Sequence, residues 1–404
     1  MIDRRQLLLA ALTGATLSPT ARLAVAAPAA GNGEGRRLVF VILRGGMDGL
    51  LSVPAIGDPA FADARGVLAQ FNSPTGAPLP LDATFGLNPL LPQLHAMYGR
   101  GELAVLHAVG LPYRDRSHFD AQQVLESGGT RPYELASGWL GRAMAGSAGP
   151  PLKAVALETA VPLVLRGTGG NLDVDTWAPS TLPEPSADLV QRLAGLYSND
   201  PALAQALSRA RGLREEPGMA ANPGGMGGGG GGGRGAALGL ARKAAEFMQR
   251  GSQVAVLELG GWDSHANAGN PNGATSNTLR TLDAMLDALR EGLMPGDLWQ
   301  RSVVVVATEF GREVAVNGTL GTDHGTGGAA FVLGGAVRGG RVIADWPGVA
   351  KAQRNEGRDL RITTDLRAAL RPLLAEQLRV TRRALDNTVL PGSGAVANLD
   401  LLRA

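Results

Sequence analysis

The chain has 404 residues, 44% hydrophobic and 18% charged, enough apolar material for a substantial core and too much for a disordered protein. Aromatics make up only 4% and the formal charge is +2, so neither a base-stacking platform nor a basic surface for nucleic acid is present. Cysteine is absent, which excludes disulfides, thiolate metal sites and cysteine nucleophiles.

Residues 1–29 read as a signal peptide. Arg4-Arg5 precede Gln6 and the apolar run Leu7 to Leu12, and small residues lead to Ala24-Val25-Ala26. The paired arginines resemble a twin-arginine export signal, which implies the twin-arginine export machinery as a partner and a periplasmic or secreted address. Cleavage after Ala26 leaves a neutral mature chain. The apolar run is shorter than the roughly 20 residues that span a bilayer, and no other segment reads as a membrane helix, so no stable membrane insertion is expected after cleavage.

Residues 36–404 then read as a single domain. Arg37 to Leu43 is a short apolar, β-branched run of the kind expected from a strand buried on both faces. Similar runs recur at Leu103 to Val109, Val254 to Leu259, Val303 to Ala307 and Ala330 to Leu333. Helical patterns alternate with them: Asn88 to Tyr98, Ser117 to Glu126, Ala236 to Arg250, Ser276 to Leu293, and Thr364 to Leu378 with a kink at Pro372. In Ser276 to Leu293, Leu279, Leu282, Met285, Leu286, Leu289 and Leu293 share one face, and Arg280, Asp283, Asp287 and Arg290 lie away from it. The alternation predicts a three-layer α/β sandwich with a largely parallel sheet, whose ligands gather at the carboxyl ends of the strands. The glycine-rich stretch 223–235 reads as a flexible surface insertion within that domain.

Nearly every expected strand runs into a cluster of ionisable residues. These are Arg44-Gly-Gly-Met-Asp48-Gly; Arg114-Asp-Arg116-Ser117-His118-Phe119; Gly261-Trp-Asp263-Ser-His265; Thr308-Glu309-Phe-Gly-Arg312; and Gly321-Thr-Asp323-His324-Gly. Imidazole and carboxylate together suit zinc or manganese, and a carboxylate-rich site also accepts magnesium or calcium. Each cluster has a plainer reading. Asp48-Gly49 makes a turn, Asp263 caps a helix, and Glu309 pairs with Arg312. His95 and His107 fall inside a helical and a strand pattern and read as structural. Ser117 opens a helix, where its hydroxyl serves as N-cap, as a nucleophile beside Arg114 and Arg116 at the positive helix end, or as both. Side chains adjacent on a helix diverge, which excludes a Ser117–His118 relay, and no Gly-x-Ser-x-Gly elbow is present.

Taken together these five motifs, with the Gly334-Gly335 turn after the last strand, resemble the bacterial domain-of-unknown-function family 1501 from about Arg37 to the C-terminus. That family in turn resembles a distant branch of the alkaline phosphatase and sulfatase superfamily. The resemblance implies an alkaline phosphatase-like fold with two metals at the strand ends. By it, Asp48, Asp263, His265, Glu309 and His324 are metal ligands and Ser117 is the nucleophile. The chain departs from the pattern at Glu309-Phe310, where the superfamily has an Asp-His pair, and in the closer spacing of Asp263 and His265. A one-metal site or a calcium- or magnesium-leaning site then stays open, with His118 or Asp323 as a compensating donor.

The implied function is an exported metal-dependent hydrolase of small anionic phosphate or sulfate esters. Ser117 attacks, Arg114 or Arg116 balances the anion, and His118 lies beside them. The competing reading is an exported binding or assembly protein that keeps the fold without chemistry. A formylglycine sulfatase made from cysteine is excluded.

Overall fold

β1 (Arg37–Leu43) is buried along its whole length. Its alternate side chains enter two different cores: Val39, Val41 and Leu43 on one face, Leu38, Phe40 and Ile42 on the other. A strand apolar on both faces belongs at the centre of a covered parallel sheet, and β1 lies there, parallel to both neighbours. The computed structural model describes residues 35–71, 76–167, 173–179, 186–215 and 232–403. The segment 1–29 and residues 223–231 of the glycine-rich stretch lie outside the described residues.

The other strands are β2 (Leu79–Pro80), β3 (Gly86–Leu87), β4 (Leu103–Gly110), β5 (Lys153–Ala156), β6 (Asp173–Thr176), β7 (Val254–Leu259), β8 (Ser302–Thr308), β9 (Gly328–Leu333), β10 (Arg341–Ile343) and β11 (Thr364–Asp365). The main sheet runs β10-β4-β9-β8-β1-β7-β5-β6, with β11 also paired to β4. All its pairings are parallel except the two made by β9, which runs antiparallel between β4 and β8. That reversal carries the segment before β9 to the edge where β1, β4, β7 and β8 end.

Eleven α-helices occur among the described residues, in chain order α1 (Gly49–Ser52), α2 (Phe61–Arg65), α3 (Pro92–Gly99), α4 (His118–Ser127), α5 (Trp139–Ala145), α6 (Ala187–Tyr197), α7 (Pro201–Glu215), α8 (Gly232–Gln249), α9 (Ala274–Leu293), α10 (Arg367–Leu378) and α11 (Arg382–Ala384). Apolar residues of α3, α8 and α9 fill the core on one face of the sheet. Those of α4, α5 and α10 fill the other. The result is the three-layer α/β sandwich expected from the alternating pattern. No helix among the described residues is long and apolar enough to cross a membrane.

Three local departures have physical causes. The helix expected from Thr364 starts at Arg367, because Thr364–Asp365 pairs with the end of β4. Helix α10 continues through Pro372; the Ala368 carbonyl, which Pro372 cannot serve, accepts the Leu399 N–H at 3.0 Å instead. Helix α8 begins at Gly232, inside the stretch read as an insertion, because extending a helix costs less than nucleating one.

A fourth departure is Asp283. It is 5% exposed rather than turned away, and its carboxylate accepts the N–H groups of Gln93 at 3.2 Å and Leu94 at 2.9 Å. A side chain of α9 thus caps the first turn of α3. Burial pushes its carboxyl up to about 6, against the pull of those two N–H groups. The folded state therefore holds this proton more tightly than the unfolded chain, so the contribution of Asp283 to stability falls as pH rises through its folded pKa. The melting temperature of the wild type should rise relative to Asp283→Asn as pH is lowered from 7 to 5, and parallel melting profiles for the two proteins would show that Asp283 does not titrate in this window.

Candidate metal centre

Each strand end delivers one piece of a single cluster. The loop after β7 presents Asp263 and His265, the start of α4 presents His118, and the segment entering β9 presents His324. The Nε2 atoms of His118 and His265 each lie 3.1 Å from Nε2 of His324. Oδ1 of Asp263 lies 3.1 Å from His324, 2.9 Å from His265 and 3.4 Å from His118 at the same nitrogens. His118, Asp263 and His324 form a ligand triad by distance, and His265 closes a second triangle on the shared His324–Asp263 edge.

The outer nitrogens explain why all three rings face inward. Nδ1 of His118 lies 2.8 Å from Oε1 of Glu309, that of His265 3.0 Å from Oδ1 of Asp323, and that of His324 3.0 Å from the Arg116 carbonyl. An acceptor at Nδ1 places the proton there and leaves the Nε2 lone pair toward the centre. Arg312 serves Asp263 Oδ1 at 2.6 Å and lies 3.4 Å from His265 Nε2, which leaves the facing Nε2 lone pairs of His118 and His324 to repel one another unless a proton or a metal cation sits between them. Donors on a tetrahedral ion of zinc size lie roughly 3.3 Å apart, and the His118–Asp263–His324 triad, with spacings of 3.1, 3.1 and 3.4 Å, fits that. The residues present therefore suit a divalent transition ion.

The remaining expected ligands are placed differently. Glu309 is 1% exposed. Its Oε1 accepts from Gly45 N, His118 Nδ1 and Gln122 Nε2, and its Oε2 from the Thr308 hydroxyl. Burial works to raise its pKa, but these donors outweigh it and hold Glu309 low. Its hydrogen bond also raises the His118 pKa. Asp48 has both oxygens engaged, Oδ1 by the Leu51 N–H at the start of α1 and Oδ2 by buried Arg65 at 2.6 Å. Asp323 supports His265 and also accepts from Asn317, with the His265 contact chiefly responsible for its lowered pKa. Asp48, Glu309 and Asp323 thus stand outside the converging donors, because hydrogen bonds already occupy them or turn them to the outer nitrogens of the histidines.

Ser117 is the N-cap residue of α4 in extended conformation (φ −101°, ψ 120°), and its hydroxyl makes no capping bond. Arg116 is committed to Asp359 at 2.6 Å and Glu356 at 2.8 Å, so its part in the site is the carbonyl on His324. Arg114 is exposed. His107 is fully buried, with Nε2 3.0 Å from the Val53 carbonyl, and burial lowers its pKa to about 4.

The residue that sequence reasoning missed is Arg312. Its surface pairing with Glu309 does not form. The guanidinium is buried, donates to the carbonyls of Gly46 and Thr322 at 2.7 and 3.1 Å, and reaches Asp263 Oδ1 at 2.6 Å. Burial favours protonation of Asp263, yet the hydrogen bonds of Arg312 and His324 outweigh it and keep that carboxyl far below the ordinary range. Its place in the Thr308–Arg312 motif, four residues beyond a strand end, was the available signal. Gly325 is required beside it: a Cβ there would stand 2.4 Å from the Arg312 backbone.

A model of the family described as protein of unknown function, DUF1501, matches residues 97–387. The chain belongs to the DUF1501 family. No curated protein matches it. Among solved structures it is similar to the PsFucS1 sulfatase from Pseudoalteromonas sp., at 11% identity and TM-score 0.43, covering 91% of this chain and 71% of that one. It is also similar to the protein Ps i-CgsB in complex with k-i-k-neocarrahexaose, at 10% identity and TM-score 0.44, covering 89% and 76%. A third likeness is to the phosphonate monoester hydrolase of Agrobacterium radiobacter, at 10% identity and TM-score 0.38, covering 86% and 74%.

Asp323 is half exposed, so replacing it leaves the core intact. Asp323→Asn should lower zinc affinity about 10- to 100-fold, the range for partners that orient a ligand, in competition with a chromophoric chelator. Unchanged affinity would remove Asp323 from the support of His265.

Proposed function

We propose that this protein is an exported, metal-dependent hydrolase of phosphate or sulfate esters with Ser117 as nucleophile, and that it belongs to a distant branch of the alkaline phosphatase and sulfatase superfamily. The observation that carries the proposal is the convergence of three Nε2 atoms and Asp263 Oδ1, each imidazole turned inward by an acceptor behind it. His118, Asp263, His265 and His324 would hold one ion. The nitrogen-rich donor set favours zinc or manganese over magnesium or calcium. When bound, a divalent ion there offsets the charge of an anionic ester and acidifies a hydroxyl brought against it.

The chain's own groups do the rest. Ser117 stands between His118, a donor, and Arg116, whose carbonyl holds His324, and its hydroxyl is not spent on capping. The first-turn N–H groups of α4 have no partner within the helix and favour an anion at that end. Exposed Arg114 adds charge at the approach. Ser117 Oγ attacks the phosphorus or sulfur atom, the bond to the alcohol oxygen breaks, and the alcohol leaves with a proton. Water then cleaves the serine ester and releases the inorganic anion. Residues 1–29, read as an export signal, would put this chemistry in the periplasm or outside the cell.

One observation favours the non-catalytic reading: the Arg312 guanidinium already contacts Asp263 Oδ1 at 2.6 Å. A carboxylate offers four lone pairs, so Arg312 and an ion can share it. Metal analysis and turnover of 4-nitrophenyl phosphate and sulfate by mature wild type and Ser117→Ala decide between the readings. We expect about one ion per chain in both, and at least about a thousandfold loss of turnover in the variant. Metal with no Ser117-dependent turnover supports the binding protein, and no metal removes both the cage and the hydrolase.

A further inference from the structure

The edge of the sheet opposite the metal centre carries a cavity of about 660 Å³, within the range that holds small organic ligands. Arg36 just before β1, Arg301 just before β8, Glu376 and Gln377 in the last turn of α10, and Arg403 line it. So does Gly335, from the Gly334-Gly335 turn after β9 that the function proposed above leaves unused. A Cβ at Gly335 would stand 2.5 Å from Gln300 Cα, and one at Gly334 2.0 Å from the Ser302 carbonyl oxygen, so the turn packs directly against the chain that carries Arg301. Strand β8 runs from Ser302 to Thr308, which puts roughly 20 Å of strand between this cavity and Glu309.

The charges here are not balanced. Three guanidinium groups line the cavity against one carboxylate, Glu376, which accepts from Arg36 at 3.3 Å. Arg301 donates to the Gly296 carbonyl at 2.7 Å, and Arg403 to the carbonyls of Val337 at 2.9 Å and Gly101 at 2.7 Å. Neither is paired with a carboxylate among the described residues, and Asp400, in the same terminal segment as Arg403, is taken by Arg338 and Arg341. A carbonyl fixes the direction of a guanidinium but leaves its charge uncompensated. The Nη1 groups of Arg301 and Arg403 make no hydrogen bond among the described residues. Buried Arg37 adds a fourth positive charge. Its donors meet only the carbonyls of Met248 and Arg36, and burial together with the charge of Arg301 keeps it below the usual arginine range. Gln377 is 7% exposed and its Oε1 is buried without a hydrogen-bond partner, an unfavourable state for a polar group.

Guanidinium groups held in place by carbonyls, with free N–H donors and no counter-charge, suit the oxygens of phosphate or carboxylate groups. The amides of Gln300 and Gln377, which also line the cavity, offer both donors and acceptors to the body of a ligand. A bare tetrahedral ion would meet the charge but leave most of the space to water. We propose that this cavity binds a small organic anion with at least two negative charges, carried on phosphate or carboxylate groups, at a site separate from the metal centre. The claim concerns binding alone and stands apart from the hydrolase reading.

The mature wild type, Arg301→Ala, Arg403→Ala, Arg403→Lys and His324→Ala would be titrated by calorimetry at low salt. The probes are fructose 1,6-bisphosphate, benzene-1,3,5-tricarboxylate and inorganic phosphate, with glucose as the uncharged control. At least one of the two organic anions should bind more tightly than inorganic phosphate, and about tenfold more weakly to Arg301→Ala and Arg403→Ala than to wild type. Part of the loss should return in Arg403→Lys, added salt should weaken binding, and glucose should not bind. His324→Ala should bind the same anion as wild type does, which separates the cavity from the metal centre. Arg403 is exposed, so Arg403→Ala should keep its melting temperature and metal content, and it carries the test if Arg301→Ala does not fold. No binding of either organic anion, equal affinity in wild type and Arg403→Ala, or loss of binding in His324→Ala would overturn the cavity site. Inorganic phosphate binding as tightly as the organic anions would also overturn it, leaving an adventitious ion only. Arg403-dependent binding upholds the site whether or not Ser117-dependent turnover is found.

Discussion

The buried guanidinium of Arg312 is the constraint on which the centre depends. Its donors reach the carbonyls of Gly45 and Gly46 after β1, Trp262 after β7 and Thr322 ahead of β9, and one of them reaches Asp263 itself. Loops from three separate strand ends are therefore tied to one planar cation. A guanidinium has five N–H donors in fixed directions and cannot give up its charge, so satisfying it sets where those loops lie. A buried cation without such partners would cost several kcal/mol, which makes the loop arrangement and the charge mutually dependent.

The reversal of β9 is the second requirement. If β9 ran parallel to its neighbours, His324 would stand at the opposite edge of the sheet from His118 and Asp263. Because it runs antiparallel, the chain entering it crosses the carboxyl edge, and Arg312 and His324 pair as an isolated antiparallel bridge. A second bridge joins Ala266 to Leu320, which fixes the His265 loop against the same segment. Two histidines 59 residues apart, His265 and His324, are held together by backbone pairing as well as by their side chains.

These two features separate what was legible in the sequence from what was not. The central strands announce themselves because both faces are buried, and Val254–Leu259 matches its apolar run residue for residue. Lys153–Ala156 and Arg341–Ile343 do not, being short and at least partly exposed. The polar clusters were visible as residue types at strand ends. Their pairing was not, because it turns on register and strand direction: Glu309 is aimed at His118 rather than Arg312, and Asp48 at Arg65. Asp283 misled for a related reason, since a charge on the edge of an apolar stripe is buried when a neighbouring helix offers it unpaired N–H groups.

The division of labour among the carboxylates follows from their surroundings. Asp263 is half exposed and meets three imidazoles as well as Arg312, so it retains room for an ion. Glu309 is enclosed and saturated, and acts through His118 instead. Asp323 does the same for His265 at the surface, and the Arg116 carbonyl for His324. Anchoring Arg116 to Asp359 and Glu356 is what keeps that carbonyl in place, and it also fixes the backbone immediately before Ser117. The residue proposed to attack and the ligand proposed to hold the ion are thus positioned by the same ion pair. Displacing Arg116 would move both together, which ties the geometry of the nucleophile to that of the metal through the chain itself.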